Sequence, residues 1–175
     1  MNKIKKTITK NDYHNPEPPK LFAWLASIVT VALIIATQFL SRGGNLYLRG
    51  IGVFILLLGG VFIFTPFYLI TKYGGSKDEK TNLQPSKVVD QGLYAITRHP
   101  QYLGYIFLTW GFALLSQHWV TFLLAIVGMT FFYAQAMFEE KYCLAQFGEP
   151  YALYLQRIPR FNIVLGILRK LRGKK

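Results

Sequence analysis

The sequence predicts an all-α fold: a polytopic membrane helical bundle of about four spans, with a C-terminal interfacial helical segment. Three observations predict it. Apolar residues make up 52% of the chain and aromatic residues 16%, more than the core of a soluble domain of 175 residues calls for. They gather into four stretches, near 21–40, 48–70, 100–118 and 119–138. Basic residues are partitioned as well. Eighteen of the twenty lysines and arginines lie before the first stretch, between the second and third, or after the fourth, leaving only Arg42 and Arg49 for the other side.

The elements follow in order. Residues 1–20 are rich in Lys and Asn and end in Pro16-Glu17-Pro18-Pro19, a stiff polar lead-in that does not fold alone. The stretch 21–40 holds no charge over 20 positions, about the length that crosses a hydrocarbon core. It exceeds a typical signal-peptide core and is followed by no small-x-small cleavage pattern, so it reads as a retained span. Gly43-Gly44-Asn45 supply a turn. In 48–70 Arg49 alone interrupts the apolar run. Gly59-Gly60 permit close helix approach and Pro66 a bend, serving either a cavity or packing. The longest polar connection, 71–91, carries Gly74-Gly75-Ser76 and Pro85, and Asp90-Gln91-Gly92 turns the chain back to the membrane. The third stretch is marginal in length, and the fourth ends at Glu139-Glu140.

Four spans put the termini and the long connection on one face, and the basic bias makes that face cytoplasmic. In a prokaryote the membrane would be the cytoplasmic one. The net charge of +12 then reflects topology and anionic headgroups, and nucleic acid is not implied as a partner. The domain proper is 21–175, and its tail, 139–175, stays amphipathic. Gly148-Glu149-Pro150 opens a helix with proline in the first turn. Beyond it, Ile163, Val164, Leu165, Ile167, Leu168 and Leu171 alternate with Arg169, Lys170 and Arg172, a basic helix suited to headgroups. His14, His99 and His118 are too scattered to share a metal, so none is expected. Cys143, the single cysteine, reads as a small apolar filler.

Two constellations carry chemistry. In Arg98-His99-Pro100-Gln101-Tyr102, Pro100 fits the first helical position and His99 the cap, where free N–H groups and the helix dipole attract anions. Ordinary interfacial anchoring is the alternative. Glu139-Glu140 is expected at the end of an apolar helix, where the dipole disfavours carboxylates. Compensation must come from Arg98, Arg157 or Arg160, or from a cationic ligand; for one of the pair, a solvated helix end suffices. Arg157 follows Tyr151 and Tyr154 at steps of three, and its planar fork suits a carboxylate or phosphate, whether of a substrate or of lipid.

Together, Gly92-x-Tyr94, Arg98-His99-Pro100-x-Tyr102-x-Gly104, Glu139-Glu140 and Phe147-Gly148-x-x-Tyr151-x-x-Tyr154-x-x-Arg157-x-Pro159 resemble the membrane-embedded methyltransferases related to isoprenylcysteine carboxyl methyltransferase and to phospholipid N-methyltransferases. The similarity covers about residues 88–162. It implies S-adenosylmethionine at the cytosolic face, roofed by the tail, and a lipidic or prenylated acceptor entering from the bilayer. Carried over, His99, Tyr102, Leu103 and Gly104 line the cofactor beside Tyr94; Glu140, with Glu139, holds its ribose or ammonium; Arg98 and Arg157 flank the acceptor. The acceptor expected first is a carboxylate of the isoprenylcysteine type, with a phospholipid amine as the alternative. Sterol-reductase-like enzymes share an Arg-His-Pro-x-Tyr-x-Gly stretch but have more spans, and a non-catalytic membrane protein would bind no cofactor.

Overall fold

The computed structural model describes residues 20–40, 44–75 and 85–172. The polar lead-in (1–19), the turn at Gly43 and the centre of the long connection, with Ser76, lie outside the described residues. Among the described residues every regular element is helical. They are α1 (Lys20–Phe39), α2 (Leu46–Tyr73), α3 (Pro100–Ser116), α4 (Trp119–Phe147), α5 (Glu149–Arg157) and α6 (Ile163–Arg172), with a short 3-10 turn at Gly92–Ala95.

Helices α1, α2 and α4 are each long and apolar enough to cross a membrane. Their outward faces leave Trp24, Ile28, Phe54, Leu57, Phe64 and Leu123 exposed, a surface stable in lipid rather than in water. The chain is therefore an integral membrane protein. Hydroxyls on these helices are satisfied internally: Ser27, Thr30, Thr37, Thr71 and Thr130 each donate to the carbonyl four residues back.

Helix α3, at 17 residues, is shorter than the expected 100–118. Gln117 stops it by taking a left-handed conformation (φ 52°), and its amide then clamps Asn45, accepting from the Asn45 N–H at 3.3 Å and donating to its carbonyl at 2.8 Å. A short helix is accommodated because α3 packs against α1, α2 and α4, so that protein covers much of it. The α2–α3 contact is the most extensive. Glycines make it possible: a Cβ on Gly104 would stand 2.8 Å from the Ile63 nitrogen and 2.9 Å from the Gly59 carbonyl oxygen.

Helix α4 corrects the expectation of an end near 138. It runs on to Phe147 and stops at Gly148, whose φ of 61° suits glycine. Lys141, Leu144, Ala145 and Gln146 are good helix formers, and nothing before Gly148 breaks the turn. Glu139 and Glu140 accordingly lie inside the helix, and the unfavourable dipole at a helix end does not act on them. At the same end of the bundle the Gly74 carbonyl accepts from the N–H groups of Ser86 (2.9 Å) and Lys87 (3.1 Å), so the chain re-enters beside the end of α2.

Candidate functional site

The tail is strapped across the segment that leads into α3. Thr97 is fully buried, and its hydroxyl donates to the Arg160 carbonyl at 2.6 Å. The Arg98 N–H donates to the Pro159 carbonyl at 3.0 Å, and the Tyr154 hydroxyl to the Tyr94 carbonyl at 2.8 Å. Gly166 of α6 lies against the Ile96 carbonyl with no room for a Cβ. These bonds fix where α5 and α6 sit relative to the start of α3.

At that start His99 is the N-cap and Pro100 the first helical residue, as the sequence indicates. His99 is buried, and across from it α4 presents Glu140, also buried. The Glu140 carboxylate is surrounded by donors. Arg160 grips both oxygens, Nε to Oε1 at 2.9 Å and Nη2 to Oε2 at 2.7 Å, the bidentate fork that makes arginine–carboxylate pairs strong. Arg98 Nη1 donates to Oε1 at 2.8 Å, and His99 Nε2 lies 3.2 Å from the same oxygen. The bond to Glu140 pushes the Arg160 guanidinium above its ordinary pKa, so it stays a fixed cation. Arg160 also donates through Nη1 to the Tyr133 hydroxyl at 2.8 Å, and the Phe161 ring packs between His99 and Tyr133.

Beside this cluster is a cavity of about 350 Å³. That volume lies in the range of small-molecule sites. Phe67 and Ile70 of α2 and Val88 and Val89 of the returning chain form its apolar side. Tyr94, Arg98, His99 and Gln101 come from the entry to α3, and Tyr151 and Tyr154 from α5. Helix α4 contributes Glu139, Tyr142, Cys143 and Gln146, one face at steps of three and four. Burial pushes the Tyr94, Tyr151 and Tyr154 phenols up, so they stay neutral and offer π faces rather than phenolates. Arg98 Nε is buried with no hydrogen-bond partner among the described residues, an orphaned donor on a residue that lines the cavity. Among the described residues no group of three or more His, Cys, Asp or Glu is placed to hold a metal.

The residues named from the sequence are only partly brought together. Tyr94, Arg98, His99 and Glu139 line the cavity. Glu140 stands behind it, outside the cavity lining, its oxygens engaged by Arg98, His99 and Arg160. Tyr102 has its ring 5.7 Å from that of His99 and its hydroxyl interacts with Glu139, while its ring lines a second groove with Tyr105 and Phe132. Leu103 is buried in the bundle and Gly104 is spent on the contact with α2; neither lines the cavity. Arg157 departs furthest from the expectation. It is 63% exposed and, among the described residues, pairs with Asp90 at 3.6 Å, outside the cavity. Arg160, one of three arginines considered as partners for the carboxylates, takes the inward place because Pro159 breaks α5 and turns the next side chain toward α4. Tyr142 and Gln146 escaped sequence reasoning because α4 was expected to stop before them; their spacing from Glu139 was the available signal.

Comparisons with known proteins give the chain its relatives. The family model described as phospholipid methyltransferase matches residues 48–150. A protein-S-isoprenylcysteine O-methyltransferase of Schizosaccharomyces pombe is 34% identical over 85 residues, 48% of this chain and 34% of that protein. Protein-S-isoprenylcysteine O-methyltransferase B of Arabidopsis thaliana is 34% identical over 74 residues, 42% of this chain and 38% of that protein. The match thus spans little more than a third of each relative's length. No solved structure matches.

Proposed function

The chain belongs to the phospholipid methyltransferase family, and from that premise we propose that it transfers a methyl group from S-adenosylmethionine to a lipid-attached acceptor at the cytoplasmic membrane face. The cavity at the α3–α4–α5 junction is the donor site in this reading. Four spans with both termini cytoplasmic, α3 being the third, accompany it.

The observation that carries the proposal is the chemistry of the cavity wall: one carboxylate with no ion-pair partner nearer than 3.9 Å among the described residues, an orphaned arginine donor and several aromatic faces around a space of about 350 Å³. S-adenosylmethionine supplies a methyl group made electrophilic by a sulfonium, and it also carries an ammonium, a carboxylate and an adenosine. The Glu139 carboxylate, 3.9 Å from His99 Nδ1, suits the cationic groups. Tyr94, Tyr142, Tyr151 and Tyr154 offer electron-rich faces toward positive charge. The Arg98 Nε–H suits a carboxylate oxygen, of the donor or of the acceptor. Glu140 and Arg160 are positioning residues: they hold Arg98 and His99 in place from behind. Catalysis then rests on alignment and exclusion of water, which the roof of α5 and the 159–162 segment supports.

A carboxylate acceptor of the isoprenylcysteine type is favoured by the names of the two relatives. A phospholipid amine is the second reading, favoured by the family description. The test is equilibrium binding of S-adenosylmethionine to the detergent-purified full chain, followed by labelled methyl transfer to a prenylated cysteine and, separately, to phosphatidylethanolamine. We predict saturable donor binding, weakened about tenfold by Glu139→Gln, the scale of one charge-assisted contact of roughly 1.4 kcal/mol. Absence of saturable binding, or a Glu139→Gln variant equal to the parent, would overturn the site. Transfer to the amine alone would reverse the choice of acceptor.

A further inference from the structure

The site described above does not use Arg157, and the outer face of α6 is unpartnered. Both facts have one explanation. On α6 the buried residue is Gly166, pressed on the Ile96 carbonyl, while Val164, Ile167, Leu168 and Leu171 are exposed. On a helical wheel these four lie on the arc turned away from Gly166, so the apolar stripe faces outward from the protein. Ile96 stands four residues before the first residue of α3, so its contact with Gly166 holds α6 level with the start of the bundle, where a bilayer surface lies.

On the other side of α6, nearer Gly166, is a basic cleft of about 410 Å³ between the end of α5 and α6, lined by Arg157, Arg169 and Lys170, with Asp90 the one acid among the described residues that line it. Arg169 is held in place through Nη1, which donates to the carbonyls of Arg157 (3.1 Å) and Gln156 (3.4 Å) at the α5 terminus. Among the described residues Arg157 is tied by the 3.6 Å exposed pair with Asp90, a contact of the kind that contributes little. Cations on one side of α6 and an outward apolar stripe on the other give it the amphipathic cross-section of a helix lying in an anionic headgroup layer.

We propose that the apolar face of α6 and the Arg157–Arg169–Lys170 cleft form a docking surface for the anionic lipid headgroup layer of the bilayer in which the protein sits. Apolar side chains enter the acyl boundary and the cations meet lipid phosphates. Docking there holds the 159–162 segment that carries Arg160, and so bears on the Glu140 cluster. The proposal does not rest on the methyl-transfer reading, because its test involves no turnover.

The full chain carrying Leu171→Cys, labelled with an environment-sensitive fluorophore, is reconstituted into vesicles of phosphatidylcholine alone or with 30 mol% phosphatidylglycerol (about the anionic share that draws polybasic segments to a surface). The parent chain, labelled in parallel, corrects for Cys143. The expected result is blue-shifted emission and quenching by brominated lipid, stronger with phosphatidylglycerol and reduced by salt. Each cation should contribute about fivefold to the docked fraction. Arg157→Gln with Lys170→Gln should shrink the difference between vesicles about 25-fold, leaving the share that Arg169 supplies. A label in water in both vesicles would overturn the proposal, as would equal quenching in both that the double variant leaves unchanged. Energy transfer between labelled chains in place of lipid quenching would assign the face to a second copy and equally overturn it.

Discussion

Replacing Glu140 by Gln tests the cluster most directly. Glu140 receives four contacts of 3.2 Å or less, from Arg160 twice, Arg98 and His99, while its side chain is 10% exposed and those of Arg98 and Arg160 are 15% and 27% exposed. Glutamine keeps the volume and one acceptor but removes the charge, leaving two guanidinium groups close together without a counterion. Breaking a fully buried pair costs about 3–5 kcal/mol, and partial exposure here brings the expectation to about 2–3 kcal/mol. For a chain of this size that corresponds to a fall in Tm of roughly 5–10 °C. Thermal unfolding of the detergent-solubilised chain, followed by intrinsic fluorescence, measures it. Arg160→Gln alone should also destabilise, yet the double variant should lose less than the sum of the two, with a coupling of about 1–3 kcal/mol, because Arg98 is then the one cation left without the carboxylate instead of two crowded together. Glu140→Gln melting within about 1 °C of the parent, or additive losses in the cycle, would refute the reasoning, since surface changes fall in that range.

Two further predictions concern packing and the roof. Gly104→Ala would drive a methyl into the Ile63 backbone and the Gly59 carbonyl of α2; overpacking of this kind costs about 1–3 kcal/mol, and melting curves should show it. The folded variant should bind the donor with parental affinity, and a selective loss of affinity would instead return Gly104 to the cofactor site. Tyr154→Phe removes the 2.8 Å bond to the Tyr94 carbonyl at about 1–2 kcal/mol. Because Tyr94 lines the cavity, donor affinity should fall with stability, and a fall in stability alone would detach the roof from the site.

The membrane class was written plainly in the chain, because a bilayer imposes its thickness on composition: three long apolar runs became α1, α2 and α4. Local backbone chemistry was equally legible. His99 caps α3 with Pro100 at its first position, and α5 follows Gly148 with proline in its first turn, since both depend on neighbours in sequence. The Arg98-His99 and Glu139-Glu140 motifs likewise marked the two elements that meet at the cavity.

What each side chain does there was decided by tertiary structure. Whether Glu139 or Glu140 faces the cavity depends on a helix rotation of about 100° between neighbours, and that rotation is set by packing of α4 on α3. Whether Arg157 or Arg160 reaches the carboxylate depends on where Pro159 ends α5 and redirects the chain. Gly104 offers its backbone to a ligand or to a neighbouring helix, and it is α2 that takes the space, because a missing Cβ admits whichever surface packs there. Sequence alone determined which residues would be near the membrane face and what charge they carry. Their partners came from long-range contacts, between residues such as Thr97 and Arg160, that no local pattern specifies.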